Sequence, residues 1–267
     1  RLDAADALSF EFMRELRAFI NQLDPDLWLM GEVIHGDYRQ WANPNMLHAT
    51  TNYELYKSLH SSLNDKNFFE LAYSLNREFG VQGIYRDLPT LYNFADNHDV
   101  SRIASQLHDP RHLHLLYFLL FTMPGIPSVY YGSEFGFEGV KQSNDWNLRP
   151  EFDLSELENQ PHAHDLRGWI GHLAWLRRSQ HALQYGECEQ VLVASQQLAF
   201  ARFDANDYLV IAVNSSAETA ELNLPLKGKA GWRFVDLLNP EEMFTCDATG
   251  NLSLPMKPNR VRLLHNG

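Results

Sequence analysis

Short apolar runs that end in acidic residues alternate with amphipathic segments over the first part of the chain. The run 27–30 ends at Gly31-Glu32, and the run 91–95 leads into Asn97-His98-Asp99. Between such runs, apolar residues recur at helical spacing, as they do over 8–23. A continuous apolar strand next to helices is typical of a parallel sheet covered on both faces. The alternation therefore predicts βα units and an α/β fold.

Acidic residues at strand ends are informative because a (β/α)₈ barrel carries its active-site groups there. The strand ends that we place lie before Asp3, at Glu32, near Asn52, at Asp99 and at Gly132. A closed barrel has eight strands and takes about 250 residues, whereas this part of the chain has only about 185. We predict the C-terminal part of a TIM barrel, about strands 4–8. Either the chain is a fragment or another chain supplies the remaining strands.

The pattern changes near residue 186. Short strand-like segments follow, several with alternating apolar and polar residues, and turn residues such as those at 204–207 separate them. We therefore predict two domains, the C-terminal part of a catalytic (β/α)₈ barrel at 1–185 and an all-β sandwich domain at 186–267. The second domain carries no chemical motif, so bracing of the barrel is its simplest role and polysaccharide binding is the alternative.

Charge and hydropathy limit the partners that we expect. The chain has 22 Lys and Arg against 34 Asp and Glu, a formal net charge of −12, which disfavours a general nucleic-acid binder. The longest apolar stretch, 115–121, is far shorter than the roughly 20 residues of a membrane helix. We therefore expect neither a nucleic-acid nor a membrane partner. The chain starts at Arg1 rather than Met, so the compartment, cytoplasmic or secreted, is left open.

Three strand-end segments carry residues suited to glycoside cleavage: Arg1-Leu2-Asp3, Gly31-Glu32-Val33 and Asn97-His98-Asp99. Two carboxylates that flank a glycosidic bond can cleave it, one as nucleophile or base and the other as acid. A third anion can stabilise positive charge on the sugar, and an adjacent Arg favours the ionised form of an Asp. Each segment alone also fits a structural ion pair or a turn. Their order in successive βα units is what indicates a catalytic site.

These segments resemble the motifs of glycoside hydrolase family 13, the α-amylase family. Residues 1–6 look like the family's second motif, 31–34 like the third and 94–99 like the fourth. Residues 124–134 resemble the segment at the eighth barrel strand, and the β domain resembles the domain that follows the barrel. The resemblance covers the whole chain, which would be the C-terminal portion of such an enzyme without the first barrel strands.

The resemblance implies a role for each matching residue. Asp3 stands at the position of the nucleophile, Glu32 at that of the general acid/base and Asp99 at that of the transition-state stabiliser. Arg1 matches the arginine beside the nucleophile, and His98 matches a substrate contact.

Three further residues are candidates for substrate binding. Asn97 belongs to the fourth motif, and His35 follows the acid/base segment, where it would contact a sugar in a leaving-group subsite. Tyr53 follows the predicted strand end at Asn52 and would line another subsite. For His35 and Tyr53, an ordinary loop or packing role is the alternative.

The chain also departs from the family pattern. The family's first motif, an Asp with a nearby Asn and His, has no counterpart, and Asp6-Ala7 stands where many amylases have a Lys-His pair. These residues help to form a calcium site and a sugar contact in many members. We therefore assign no metal ligands and expect no required cofactor, although calcium remains possible.

The function implied is retaining hydrolysis of α-glucosidic bonds in starch-like glucans or maltooligosaccharides (EC 3.2.1.-). Retention predicts the two catalytic carboxyl groups to lie about 5–5.5 Å apart. A transglycosylase or phosphorolytic enzyme of the same family is the alternative, and so is a non-catalytic carbohydrate-binding homologue. We expect the isolated chain to be inactive unless the missing N-terminal half of the barrel is supplied, because open sheet edges would be exposed.

Overall fold

The computed structural model describes residues 1–88 and 91–266, and its first part contains a parallel sheet built in chain order. The strands are β1 (Met30–Gly31), β2 (Ala49–Thr50), β3 (Tyr92–Phe94) and β4 (Ile126–Ser128). β1 pairs with β2 and β3 pairs with β4, all parallel. Single parallel bridges join Leu2 to Gly31 and Thr51 to Tyr92, so the sheet runs from Leu2 through β1, β2 and β3 to β4. This confirms a partial (β/α)₈ barrel.

One helix precedes β1, and the others lie between and after these strands. They are α1 (Phe10–Leu23), α2 (Tyr53–Asn64), α3 (Phe68–Phe79), α4 (Ile103–Gln106), α5 (His112–Thr122), α6 (Leu154–Leu157), α7 (Ala163–Ser179) and α8 (His181–Tyr185). Short 3₁₀ turns occur at Ala5–Ala7, Tyr38–Gln40 and Ser133–Phe135. α1 begins where the Ser9 hydroxyl accepts a hydrogen bond from the backbone N–H of Phe12, which satisfies one of the free donors at the helix start. No helix among residues 1–88 and 91–266 is long and apolar enough to cross a membrane.

Helix α5 is almost entirely buried, since every one of its residues except His114 is buried. Its C-terminal carbonyls are satisfied by two buried arginines. Arg177 of α7 donates to the carbonyls of Phe121 (2.7 Å) and Met123 (3.0 Å), and Arg202 donates to that of Thr122 (2.8 Å). Burial lowers the pKa of Arg177 to about 9 and that of Arg202 to about 10. Both side chains therefore act as fixed donors for a helix end that would otherwise lack partners.

The second part of the chain is an antiparallel sandwich. Its strands are β5 (Glu187–Val193), β6 (Gln197–Phe203), β7 (Tyr208–Asn214), β8 (Ala220–Pro225), β9 (Arg233–Asp236), β10 (Asn239–Thr245), β11 (Asn251–Met256) and β12 (Arg260–His265). Six strands form one sheet in the order β10-β9-β12-β7-β6-β5, and β8 pairs with β11. A sandwich core lies between the two sheets and includes Ala199, Val210, Leu222, Leu254 and Met256. The predicted all-β sandwich is confirmed.

The larger sheet of the sandwich is apolar on both faces. On β6, Ala199 belongs to the sandwich core, whereas Leu198 and Phe200 join the same hydrophobic cluster as α3, α5 and α8. Alternate residues of one strand thus serve two cores, as the strand period of two dictates. Arg202 is in the same sheet and reaches α5. These contacts favour the bracing role predicted for this domain.

The parallel strands are shorter than the sequence predicts. The apolar run 27–30 contributes only Met30 to β1, because the N–H of Leu29 donates to the His48 ring (2.9 Å) instead of a strand neighbour. The strand whose end we place at Gly132 already ends at Ser128. Beyond it, Tyr130 and Tyr131 contact the guanidinium of Arg102.

Candidate active site

The predicted catalytic residues follow successive parallel strands of the sheet. Asp3 follows the bridge at Leu2, Glu32 follows β1, and Asp99 lies in the turn after β3. Because parallel strands end at one edge of their sheet, these side chains belong to the face on which TIM barrels carry their chemistry.

One arginine joins the predicted nucleophile to the predicted acid/base. Arg1 Nη1 lies 3.0 Å from Asp3 Oδ1, and Arg1 Nη2 lies 2.8 Å from Glu32 Oε2. Glu32 is only 8% exposed, whereas the Asp3 side chain is 78% exposed at the edge of the described sheet. The arrangement holds two carboxylates on the two branches of one planar guanidinium, a geometry that orients both.

The second oxygen of Glu32 also has a fixed partner. The Tyr53 hydroxyl donates to Glu32 Oε1 (3.2 Å), and Asn97 Nδ2 donates to the Tyr53 oxygen (3.2 Å). Burial raises the pKa of Tyr53 to about 12, so the phenol keeps its proton at neutral pH. Tyr53 opens α2 because the side chain of Asn52 caps that helix by accepting from the N–H of Leu55 (3.1 Å). Tyr53 thus contacts Glu32 directly, whereas Asn97 reaches it only through the Tyr53 hydroxyl.

Asp99 is held by an imidazole and a guanidinium. His98 Nε2 lies 3.1 Å from Asp99 Oδ2, and Arg149 Nη2 lies 2.7 Å from Asp99 Oδ1. The backbone N–H of Asp99 donates to Asn97 Oδ1 (2.8 Å), which fixes the turn. The same Arg149 nitrogen lies 2.9 Å from Asp145 Oδ2. Asp99 therefore has its position set from two segments of the chain.

Sequence reasoning missed Arg149, Asp145 and Lys141, which come from the polar segment after β4. Lys141 Nζ donates to the Asp99 carbonyl (2.6 Å), and Arg149 Nε donates to that of His98 (2.9 Å). A signal was present, since Asp145 and Arg149 are four residues apart and opposite in charge. That spacing is common on any polar surface, so it does not identify a site by itself.

A buried arginine anchors this polar segment. Arg102 is fully buried and donates to the carbonyls of Leu148 (2.7 Å) and Tyr131 (2.7 Å) and to Ser133 Oγ (3.1 Å). Its guanidinium carbon lies 4.1 Å from the centre of the Tyr130 ring. Because Leu148 adjoins Arg149, these bonds fix the backbone from which Arg149 reaches Asp99.

Asp96, in the segment that resembles the fourth motif, is structural. It is buried and accepts hydrogen bonds from Ser133 Oγ (2.8 and 2.9 Å) and from the N–H of Ile103 (2.9 Å). Burial raises its pKa to about 6. It ties the turn after β3 to the 3₁₀ turn after β4, and so helps to place Asp99.

His35 lies at the surface of a cleft of about 630 Å³. The cleft is also lined by Tyr53, Tyr56 and Tyr73. Because the Tyr53 hydroxyl bonds to Glu32, this cleft adjoins the predicted acid/base. His35 and Tyr53 therefore line the same cleft, on the side of α2 and α3. Within residues 1–88 and 91–266, no group of three or more His, Cys, Asp or Glu side chains is arranged to hold a metal ion.

Comparison with known protein families identifies the chain. The family model described as "Alpha amylase, catalytic domain" matches residues 5–178. The chain belongs to the α-amylase family. A second model, "Neopullulanase-like, C-terminal domain", matches residues 189–262 of this α-amylase-family chain.

Relatives of this α-amylase-family chain carry the names of enzymes. A cyclomaltodextrinase of Geobacillus thermopakistaniensis is 27% identical over 96% of this chain and 43% of its own length. A maltogenic α-amylase of Bacillus acidopullulyticus is 28% identical over 99% of this chain and 44% of its own length. The chain thus spans less than half the length of these relatives.

Solved structures show the same fold along the whole α-amylase-family chain. An Anoxybacillus α-amylase covers 100% of it with a TM-score of 0.84 and 22% identity, and the chain covers 58% of that structure. A cyclomaltodextrinase covers 100% of it with a TM-score of 0.83 and 23% identity, and the chain covers 45% of that structure. Both the partial barrel and the sandwich therefore have the arrangement found in these enzymes.

The Tyr53 hydroxyl gives a test of the site geometry. In the full-length protein, we expect Tyr53→Phe to lower kcat about five- to ten-fold with little change in KM, because one hydrogen bond to Glu32 is lost. Steady-state kinetics on maltoheptaose measure both constants. Tyr56→Phe is the matched control, since that hydroxyl donates to Gln106 Oε1 instead (3.1 Å). A kcat of Tyr53→Phe equal to that of the control would contradict a role for this bond.

Proposed function

We propose that the protein hydrolyses α-glucosidic bonds in starch-like glucans or maltooligosaccharides with retention of configuration. The observation that supports this most directly is the Arg1 guanidinium, which holds Asp3 at 3.0 Å and Glu32 at 2.8 Å. Asp99 follows another strand of the same sheet. A nucleophile, an acid/base and a third anion are the groups that retaining hydrolysis requires.

In the proposed mechanism, Asp3 attacks the anomeric carbon as the glycosidic C–O bond breaks. Glu32 gives its proton to the leaving oxygen, so that a glycosyl-enzyme ester and a free sugar hydroxyl result. The ionised Glu32 then takes a proton from water, whose oxygen attacks the anomeric carbon and releases Asp3. The Asp99 carboxylate stabilises positive charge that develops on the sugar ring in both steps.

The names of the relatives support the substrate class. They include a cyclomaltodextrinase, a maltogenic α-amylase and a neopullulanase, names that refer to α-glucans. Cyclomaltodextrin glucanotransferase, at 25% identity, also occurs among the relatives. Transfer to a sugar acceptor is therefore the second candidate, and product analysis with added glucose distinguishes it from hydrolysis.

We propose further that this chain acts together with the barrel strands that the sequence does not include. Along the described residues, the parallel sheet comprises the Leu2 bridge and β1–β4, whereas a closed barrel has eight strands. Asp3 stands on the sheet edge that the remaining strands would cover. Substrate bound at Asp3 would then lie between the two parts.

Adding back the missing part tests this proposal. We expect the chain alone to give no detectable maltose or glucose from maltoheptaose, and the full-length protein to hydrolyse it. Co-expression of the chain with the preceding half of the barrel should restore part of that activity. Activity from the chain alone would show that the missing strands are dispensable.

A separate experiment tests the proposal that no cofactor is required. It measures the activity of the full-length protein after chelation, with and without added calcium.

A further inference from the structure

A second cleft, of about 520 Å³, lies in the sandwich domain. Its lining includes Tyr208 at the start of β7, Trp232 just before β9, and the polar side chains of Asn206, Asp207, Lys227 and Lys229. We call it the Tyr208–Trp232 cleft. None of the candidate active-site residues lines it. Its volume is within the range of pockets that hold small ligands.

One wall of this cleft is formed by aromatic rings that are held in place by neighbouring side chains. The Tyr208 ring stacks on Phe203 with 5.6 Å between centroids, and Trp232 meets Tyr208 edge-on at 5.9 Å. Both Tyr208 and Trp232 are half-buried because they pack against the sandwich core. Rings held in this way lose little further freedom on binding, so they suit a flat apolar ligand face.

Hydrogen-bonding groups without protein partners surround these rings. Across residues 1–88 and 91–266, the Tyr208 hydroxyl, the Trp232 indole N–H and the Lys227 ammonium group bond to no other side chain or backbone group. The Lys229 ammonium lies over the rings, 3.9 Å from the Trp232 ring centre and 4.4 Å from that of Tyr208, so it covers part of the aromatic wall and places a donor there. Burial raises the pKa of Tyr208 to about 12, so its hydroxyl remains a donor.

The charges in the cleft favour a neutral ligand. Lys227 and Lys229 stand against three acidic residues in the same lining, Asp204, Asp207 and Glu189. Asp204 is already occupied by His181 (2.6 Å) and by the N–H groups of its own turn. A phosphate or a strongly acidic peptide would meet carboxylates as well as ammonium groups. A neutral molecule with many hydroxyls and flat apolar faces would find a partner for each of its surfaces.

We propose that the Tyr208–Trp232 cleft is an α-glucan-binding site, separate from the candidate active site, that takes two or three glucosyl units of a longer chain. The choice of α-glucan among neutral sugars rests on the proposed function, which makes this polymer the available partner. One glucosyl ring stacks on the exposed part of Trp232, while the Lys229, Tyr208 and Asp207 side chains bond to its hydroxyls. The site tethers a long glucan whose other segments remain free to reach Glu32.

Affinity electrophoresis of the full-length protein tests this site. Asp3→Asn is introduced throughout to prevent digestion of soluble starch in the gel. We expect Trp232→Ala to weaken starch retardation about five-fold or more, measured as an apparent Kd. Trp175→Ala is the matched control, because Trp175 is exposed on α7, away from the cleft. A Lys227→Ala/Lys229→Ala double variant removes donors while leaving the sandwich core intact, and should weaken retardation as well.

Each outcome decides the proposal. Loss of retardation in both cleft variants but not in Trp175→Ala supports it. Retardation of both cleft variants equal to that of the control overturns it, and so does equal retardation of the parent by dextran and by starch. Hydrolysis of maltoheptaose by the protein with Asp3 intact is measured separately. Hydrolysis without starch retardation overturns this inference alone, whereas retardation without hydrolysis overturns only the proposed function.

Discussion

Replacement of Glu32 by Gln in the full-length protein is expected to lower maltoheptaose hydrolysis by about 10²- to 10⁴-fold, the usual contribution of a general acid/base. The new carboxamide would fill the same space between Arg1 and Tyr53, which contact the two Glu32 oxygens at 2.8 and 3.2 Å. It has no acidic proton to give to the leaving oxygen. The loss should therefore appear mainly in kcat.

The choice of substrate identifies which step is lost. In an α-glucosyl fluoride the leaving group is fluoride ion, which departs without protonation by an acid. Asp3 should therefore still form the glycosyl-enzyme in Glu32→Gln. Added azide needs no general base, and it should release α-glucosyl azide and restore turnover. Rates on both substrates, with product analysis by NMR, check this expectation.

A neighbouring carboxylate provides the control for this experiment. Glu54 follows Tyr53 on α2, and its carboxylate bonds to Arg77 rather than to any candidate catalytic residue. Glu54→Gln should leave both rates nearly unchanged. An equal loss on the fluoride and on maltoheptaose in Glu32→Gln, with no azide rescue, would show that Glu32 is not the acid/base.

The three catalytic residues predicted from the sequence share one position in the fold. Glu32 and Asp99 lie two and four residues after the apolar runs 27–30 and 91–95, and Asp3 follows Leu2, which bridges to Gly31. The ends of parallel strands must meet at one edge of a sheet. The local sequence pattern and the topology of the parallel sheet therefore predict the same location for the active site. Asn97 and Tyr53 could be selected because they adjoin these strand ends in the chain.

Residues that reach the site from elsewhere were not predictable in this way. Arg149 lies in a segment without periodicity, and its contact with Asp99 depends on the bonds of Arg102 to the backbone at Leu148. The buried arginines at the end of α5 present the same difficulty. A sequence pattern treats Arg177 and Arg202 as surface charges, because only the packed structure shows which carbonyls lack partners.

Glu78 shows a signal that was present in the sequence but not used. It lies three residues after Leu75 and seven after Leu71, on the apolar face of α3, and the structure buries it completely. Asn52 Nδ2 donates to Glu78 Oε2 (2.6 Å), whereas Oε1 has no hydrogen-bond partner among the described residues. Such a carboxyl is costly to bury in its charged form.

Burial raises the pKa of Glu78 to about 8, from an ordinary value of 4.5. The Asn52 hydrogen bond and the Arg77 charge oppose the shift, and the Glu54 charge adds to it. Between these two pH values, the folded protein holds a proton that the unfolded chain has released. Stability must therefore fall as the pH rises from about 4.5 to about 8, by up to about 1.4 kcal/mol per pH unit from this group.

We expect Glu78→Gln to remove this dependence. At pH 5 the variant should be slightly less stable than the parent, since the carboxamide brings an N–H that has no acceptor where Oε1 lies. By pH 8 the order should reverse, because only the parent must then bury a charge or retain a proton. Urea unfolding of the full-length protein at pH 5, 6, 7 and 8 measures the difference.

Glu70→Gln provides the control, because it removes a partly exposed carboxylate from the same helix as Glu78. Parallel stability curves for the parent and Glu78→Gln would show that Glu78 is ionised in the folded state.

The same variant also tests whether Glu78 affects the candidate active site. The Asn52 amide is shared between Glu78 and Asn93, and its oxygen caps the helix that presents Tyr53 to Glu32. Because the carboxamide oxygen in Glu78→Gln can still accept from Asn52, kcat on maltoheptaose should change less than in Tyr53→Phe even where the stability changes most.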